Sequence, residues 1–267
     1  MFLLFTCGLG TDGVGTLVRT TTGFRVEGVA KKSRYAEIAE VLAAEIVDQP
    51  AGTRVSSEHE IAARFGVSRA AARAALQELE GRLLVRRVRG AGTFVNRPID
   101  YLLSRRQPPS GSRTVEEAGG MHRRVVRDVR RVGLGGDHAD RLERSEGSPA
   151  HLLISQTYLN GLASSWTQAW IPVDLLPDLG SAVRAVESLD VILRQMCGVV
   201  PVRTWCRVSS VLPPPEAAAG LEAERNRPVW LLESMSRDSR TRAPLMCSES
   251  WSRPDGLRLV VELDDLG

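Results

Sequence analysis

An α+β chain of two domains is what the sequence predicts: short helices closed by a hairpin, then an antiparallel sheet with helices. Three observations predict it. Helical periodicity runs from Tyr35 to Leu83 and gives way to two arginine-rich strand-like runs. From His151 onward strand-like runs outnumber helical ones, with hairpin signals between them. Charge also divides along the chain. Residues 31–97 carry 12 Lys/Arg against 8 Asp/Glu, residues 98–135 carry 8 against 4, and residues 136–267 carry 13 against 18. A basic front half and an acidic back half suit a chain of which only the front meets a polyanion.

At 267 residues the chain is long enough for two separate cores. Its 43% hydrophobic and 25% charged content is that of a globular protein, and no apolar run reaches the roughly 20 residues that span a bilayer. The opening MFLLFTCGLG lacks a basic segment, so it is not expected to be a signal peptide, and residues 1–30 are expected to be a disordered extension. Cys7, Cys197, Cys206 and Cys247 lie far apart, as do His59, His122, His138 and His151. Neither a disulfide framework nor a metal site is expected, no cofactor is implied, and a reducing cytoplasm fits best.

The first domain, residues 31–97, builds up in order. SRYAEIAEVLAAEIVDQPAG places Tyr35, Ile38, Ala39, Leu42 and Ile46 at helical spacing and ends before Pro50. In SSEHEIAARFGV, Ser57 and Glu60 have capping-box spacing, Ile61, Ala62 and Phe65 form the inner face, and Gly66 stops the helix. SRAAARAALQELEGRLL opens on a second cap, Ser68, and carries Ala72, Leu76, Leu79 and Leu83 on one stripe. Two short capped helices joined by Gly66-Val67 predict a helix-turn-helix. Arg69 and Arg73 sit one turn apart near the start of its second helix, off the apolar stripe, where a guanidinium can reach guanine edges or phosphates in a major groove. VRRVRGAGTFV is then two strands around Gly90-Ala91-Gly92. A phosphate-binding loop would open a helix, whereas Thr93-Phe94-Val95 favours a strand, so the segment predicts the wing of a winged helix. Arg87 and Arg89 are expected to meet phosphate or the minor groove.

This stretch resembles the GntR family of bacterial transcription regulators, whose usual pattern is close to LPSE-x-ELA-x-x-FGVSR-x-x-VR-x-AL-x-x-L followed by G-x-GTFV. The chain keeps Ser57, Glu58, Phe65 to Arg69, Arg73, Ala75, Leu76, Leu79 and Gly92 to Val95, with Ser56 in place of proline and Ala71 where the family often has Thr or Pro. The resemblance implies a double-stranded DNA operator as partner. It implies DNA-facing positions at Ser57, Glu58, Ser68, Arg69, Arg73, Arg87, Arg89, Gly90, Gly92 and Thr93.

Residues 98–114, which include the Pro/Gly/Ser-rich RQPPSGS, are expected to be a linker, and residues 115–267 the second domain. HLLISQTYLNGLASSWTQAWIP divides at Asn160-Gly161 into a hairpin. LGSAVRAVESLDVILRQMCG predicts one helix closed by Gly198, VRTWCRVSSVLP a strand, and PPEAAAGLEA a short proline-led helix. PVWLLESMS, APLMCSESWS and LRLVVEL supply three more strands. The five tryptophans Trp166, Trp170, Trp205, Trp230 and Trp251 are expected in the core.

This order resembles the effector-sensing UTRA domain of the HutC-type GntR subfamily, which shares its fold with chorismate lyase. The match is carried by PLMCSESWSRPDGLRLVVEL, where Ser248, Ser250, Arg253, Asp255 and Arg258 fall on S-x-S-x-x-R-x-D-x-x-R, and by Arg203 in GVVPVRT. Where the subfamily has R-x-R this chain reads Ser155-Gln156-Thr157, and Thr167 stands in place of a glutamate. The resemblance implies an effector pocket formed by Arg113, Thr114, Thr157, Thr167, Arg203 and Ser248, able to hold one anionic group. IDYLLSRRQPPSGSRTVEEAG is similar to regulators of phosphonate utilisation, which adds phosphonates to phosphorylated compounds as candidate effectors.

The function these readings predict is a ligand-responsive, homodimeric, DNA-binding regulator with no membrane partner. One alternative is a constitutive repressor with a degenerate sensor. The other is a lyase-like enzyme, but no GxSxG, metal cluster or base-paired nucleophile supports it, so no enzyme is expected.

Overall fold

The computed structural model describes residues 16–20, 23–27, 33–88, 90–103, 121–186 and 188–261. Met1–Val95 and Asn96–Gly267 form two compact units. Within the segment expected to be a disordered extension, β1 (Thr16–Thr20) and β2 (Gly23–Glu27) pair antiparallel, a pairing that Thr- and Val-bearing runs favour.

The first unit holds α1 (Arg34–Ile46), α2 (Glu58–Phe65) and α3 (Arg69–Gly81), then the hairpin β3 (Val85–Val88) and β4 (Gly92–Val95). The capping box forms: the Ser57 hydroxyl accepts from Glu60 N at 3.3 Å, and the Glu60 carboxylate accepts from Ser57 N at 2.7 Å. The Ser68 hydroxyl accepts from Ala71 N at 3.2 Å. Gly66 closes α2 at φ 63°, a left-handed turn that costs glycine little. One core unites Ile38, Leu42 and Ile46 of α1, Ile61 of α2, Leu76 and Leu79 of α3, and Val85 and Val95 of the hairpin. Two residues expected on the inner stripes differ. Tyr35 is 39% exposed, and Leu83 lies beyond the helix end at φ 57°, because Arg82 already caps α3.

The second unit begins earlier than the sequence suggests. Asn96 is buried, its Nδ2 donates to the Asp255 carbonyl at 2.7 Å, and Ile99 N donates to the Gly256 carbonyl at 3.1 Å. Part of the expected linker is therefore β5 (Ile99–Leu103), which pairs in parallel with β12 (Leu257–Val261). The RQPPSGS stretch lies outside the described residues.

Six antiparallel strands make the main sheet. They are β6 (His122–Gly133), β7 (Pro149–Leu159), β8 (Leu162–Pro172), β9 (Pro201–Val211), β10 (Val229–Asp238) and β11 (Pro244–Ser252), in the order β6-β7-β8-β11-β10-β9. The β7–β8 turn is Asn160-Gly161 with φ 50° and 78°, both positive as a two-residue hairpin turn requires. The long helix expected over residues 179–197 is two, α5 (Leu179–Ala185) and α6 (Leu189–Cys197). Val186 is extended and Ser188 caps the second helix, which breaks the first one's ladder. Both pack against Leu153, Ala169 and Ile171 on one sheet face. The other face is covered by α4 (Gly136–Arg141) and α7 (Pro215–Gly220). Trp170 and Trp251 are buried as expected, whereas Trp205 is 41% exposed, with the guanidiniums of Arg141 and Arg207 at 4.9 and 5.6 Å from its ring.

Two features of this unit give measurable consequences. A Cβ on Gly220 would stand 2.6 Å from Cζ3 of the Trp166 indole, too close for a rigid ring. Gly220→Ala is therefore expected to cost about 1–3 kcal/mol in chemical denaturation, and wild-type stability would mean that the indole is free to yield. Asp238 is buried, and its carboxylate accepts from Val200 N (2.9 Å), the Thr241 hydroxyl (2.7 Å) and Thr241 N (3.0 Å). These donors, the Val200 amide foremost, hold its pKa at about 2, below the ordinary 3.8. A folded value below the unfolded one means stabilisation that is complete above the unfolded pKa and fades as pH falls through the folded one. Asp238→Asn should thus lower the melting temperature near neutral pH and flatten its fall on acidification from 3.8 to about 2. Parallel curves for the two proteins would argue against this role.

Candidate functional site

In the first unit, α3 and the hairpin carry exposed arginines. Arg69 and Arg73 are exposed on α3, and Arg87 is exposed on β3. Glu58, the first residue of α2, ties two of these arginines together. Its carboxylate accepts from Arg73 Nε at 3.1 Å and from Arg87 Nη1 at 3.3 Å. Arg87 Nε is also 3.5 Å from Glu80. The hydrogen bond from Arg73, first among several contributions, holds the Glu58 carboxyl below its ordinary pKa and raises that of Arg73. One carboxylate thereby fixes the spacing between the second helix and the hairpin, restricting two flexible side chains before any ligand arrives.

The hairpin tip turns on Gly90 and Gly92, with φ 77° and 122°, and both are exposed. Arg89 lies outside the described residues. Thr93 differs from expectation. It is only 9% exposed, and its carbonyl accepts from Val55 N at 2.8 Å, so it builds the wing from within because its side chain alternates inward. Ser57 and Ser68 spend their hydroxyls on helix caps.

The second unit contains a cavity of about 380 Å³. Its floor is the sheet face that also carries α5 and α6. Strand alternation places Thr157, Ser165, Thr167, Ser234, Ser248, Ser250 and Ser252 there. Three cross-strand hydroxyl pairs result: Thr167–Ser250 at 2.9 Å, Ser165–Ser252 at 2.7 Å and Ser234–Ser248 at 2.9 Å. A hydroxyl pair uses one O–H internally, so each keeps a second O–H and several lone pairs for a ligand. Around the floor stand His122 and Arg124 of β6, Asp190 of α6, Arg203 and Cys206 of β9, and Tyr101 and Leu257 of β5 and β12. Asp190 Oδ2 accepts from Arg194 Nε at 2.8 Å, while its Oδ1 is buried with no partner among the described residues. Arg203 Nη2 donates to the Tyr101 hydroxyl at 2.7 Å, and its Nε is likewise buried and unpartnered. Burial pushes the Cys206 thiol up, so it lines the cavity as a neutral group.

Of the expected effector residues, the fold brings Thr157, Thr167, Arg203 and Ser248 into this one cavity, and Arg113 and Thr114 lie outside the described residues. Arg253, which shares the matching motif with Ser248, is bound to Asp255 at 2.8 Å and to the Leu221 carbonyl at 3.2 Å, an internal tie. Sequence reading missed Tyr101, His122, Arg124 and Asp190. Only the alternation Ser248, Ser250, Ser252 signalled a hydroxyl-bearing face; the other groups come from remote segments.

Comparison with known proteins agrees with both units. Residues 34–95 match the model for bacterial regulatory proteins of the gntR family, and residues 117–258 match the UTRA domain. The chain is 28% identical over 217 residues to the HTH-type transcriptional regulator GgaR of Escherichia coli, covering 79% of this chain and 82% of that protein. It is 40% identical over 83 residues to the HTH-type transcriptional regulator Rv0792c of Mycobacterium tuberculosis, covering 30% and 29% of the two chains. Among solved structures it is similar to PhnF from Mycobacterium smegmatis, with a TM-score of 0.59 and 23% identity over 85% of this chain and 99% of that one. Among the described residues no helix is long and apolar enough to cross a membrane. With the helix-turn-helix, its wing and the sheet domain all matched in order, the chain belongs to the gntR family of bacterial regulatory proteins and carries a UTRA domain.

Proposed function

We propose that this DNA-binding transcription regulator is a homodimeric repressor, released from a near-palindromic operator by a small anionic metabolite bound in the cavity of its UTRA domain. The observation that carries this reading is the cavity itself. It is large enough for a metabolite and floored by hydroxyls. One buried guanidinium nitrogen in its lining lacks an acceptor among the described residues. A phosphorylated or phosphonate group supplies such acceptors, and the remaining hydroxyls of the floor suit the rest of a polar ligand. On the DNA side, Arg69, Arg73 and Arg87 supply the charge, with base reading assigned to α3 and backbone contact to the wing, where Arg89 joins them. A twofold protein reads a twofold operator, and about 1.4–3 kcal/mol of coupling between ligand and DNA is sufficient for release.

The deciding experiment is binding of the purified protein to DNA from its own upstream region, followed by a panel of phosphorylated and phosphonate metabolites. Selective binding that one metabolite weakens by ten- to a hundredfold is the expected outcome. One observation favours a second reading, a constitutive repressor: six of the floor hydroxyls are already tied in three pairs, each committing one O–H internally. Selective DNA binding with no metabolite altering either operator affinity or thermal stability would decide for it.

A further inference from the structure

The wall of the cavity formed by β5 and β12 differs from the others. These two strands stand apart from the six-stranded sheet and, among the described residues, pair with each other alone. Their apolar anchorage is small, with Ile99, Leu159 and Leu257 buried and Tyr101 and Leu259 packed alongside. The part of the same sheet face that lies under α5 and α6 holds a much larger apolar cluster. β5 is also the strand through which the chain leaves the DNA-binding unit: three residues, Asn96 to Pro98, separate it from the end of β4. The least anchored wall of the cavity is thus the one covalently continuous with the wing.

A polar contact among the described residues crosses from that wall to the sheet. Tyr101 of β5 accepts from Arg203 Nη2 of β9 at 2.7 Å, and the same guanidinium carbon lies 5.6 Å from the centre of the Tyr101 ring. Both residues line the cavity. Arg203 Nε, adjacent to Nη2, is buried and has no partner among the described residues. Guanidinium binds oxyanions through pairs of neighbouring N–H groups. An oxyanion that satisfies Nε side-on therefore competes for the Nη2 on which the tyrosine hydroxyl sits.

We propose that Tyr101 and Arg203 form a latch that holds β5 in place while the cavity is empty, and that an oxyanion taking Arg203 opens it. Resting on the reading of this cavity as the effector site, the latch supplies the route by which occupancy reaches the DNA-binding unit. Tyr101 is a positioning residue for β5. The ligand acts by differential contact with two states, displacing one hydrogen bond that only the empty state makes.

The test uses the full chain. Tyr101→Phe keeps the ring and its apolar packing and removes only the hydroxyl. It is expected to weaken operator binding roughly tenfold, about 1.4 kcal/mol, and to speed amide exchange in β5 while leaving β7 and β8 unchanged. Arg203→Gln should produce the same two effects. The double variant should be no worse than either single one, because both remove one shared contact. Inorganic phosphate, compared with chloride at equal ionic strength, should speed β5 exchange in the wild type but add nothing in Tyr101→Phe. Wild-type operator affinity and β5 exchange in Tyr101→Phe, or strictly additive losses, would overturn the latch, as would phosphate without effect on wild-type β5. Failure of the wild type to bind any DNA selectively would overturn the underlying reading instead, and β5 exchange would still report on the latch.

Discussion

Operator affinity is expected to fall by roughly 30-fold to 10⁴-fold when Arg69 and Arg73 are both replaced by alanine, from about 1–3 kcal/mol per arginine–base or arginine–phosphate contact. The two should not contribute equally. Arg73 is already engaged by Glu58, with Nε 3.1 Å from both carboxylate oxygens, so DNA must share or displace an existing ion pair. Arg69 is exposed, so a DNA contact there would be made from solvent. Arg69→Ala should accordingly cost more than Arg73→Ala. Titration at several salt concentrations separates the chemistry. Loss of a phosphate contact lowers the salt slope by about one and weakens all sequences alike, whereas loss of a base contact relaxes selectivity at one position. Full operator affinity in the double variant would remove α3 from the DNA interface.

Leu79→Ala is expected to have the largest effect on stability. Leu79 is fully buried where α1, α3 and the wing share one core. Truncation there costs about 2–5 kcal/mol through lost transfer energy and the cavity left behind. A domain of this size has on the order of 3–9 kcal/mol in total. The substitution should therefore leave the winged helix largely unfolded near 37 °C and abolish DNA binding. The second unit has its own cores, so its thermal transition should stay in place while the first shifts down. Calorimetry checks this directly. Two transitions moving together would mean that the units unfold as one block, and no shift would mean that the core collapses around the deletion.

Which parts of this molecule could be read from sequence follows from the range of the interactions that make them. Ser57 and Glu60 are three residues apart, as are Ser68 and Ala71, so both caps are written in local spacing. Asn160-Gly161 specifies its turn through positive φ alone. Apolar residues at helical spacing lie on both sides of Ser188, so the sequence predicts one helix, whereas the Ser188 cap and the extended Val186 divide it into two. Thr93 lay in a matching motif, but motif membership does not say which way a strand residue points. By itself, then, the sequence determined the helix-turn-helix, its wing, the hairpins and the hydroxyl-bearing alternation of β11, because each depends on residues within about one turn or one strand of each other. Tertiary structure alone decided the rest. It brought Glu58 onto Arg87, Ile99 opposite Leu257, Tyr101 onto Arg203, and Asp190 and Arg124 to the same cavity. Those partners are separated by 29 to 158 residues in the chain, and no local signal encodes a contact whose geometry is set by the packing of everything between.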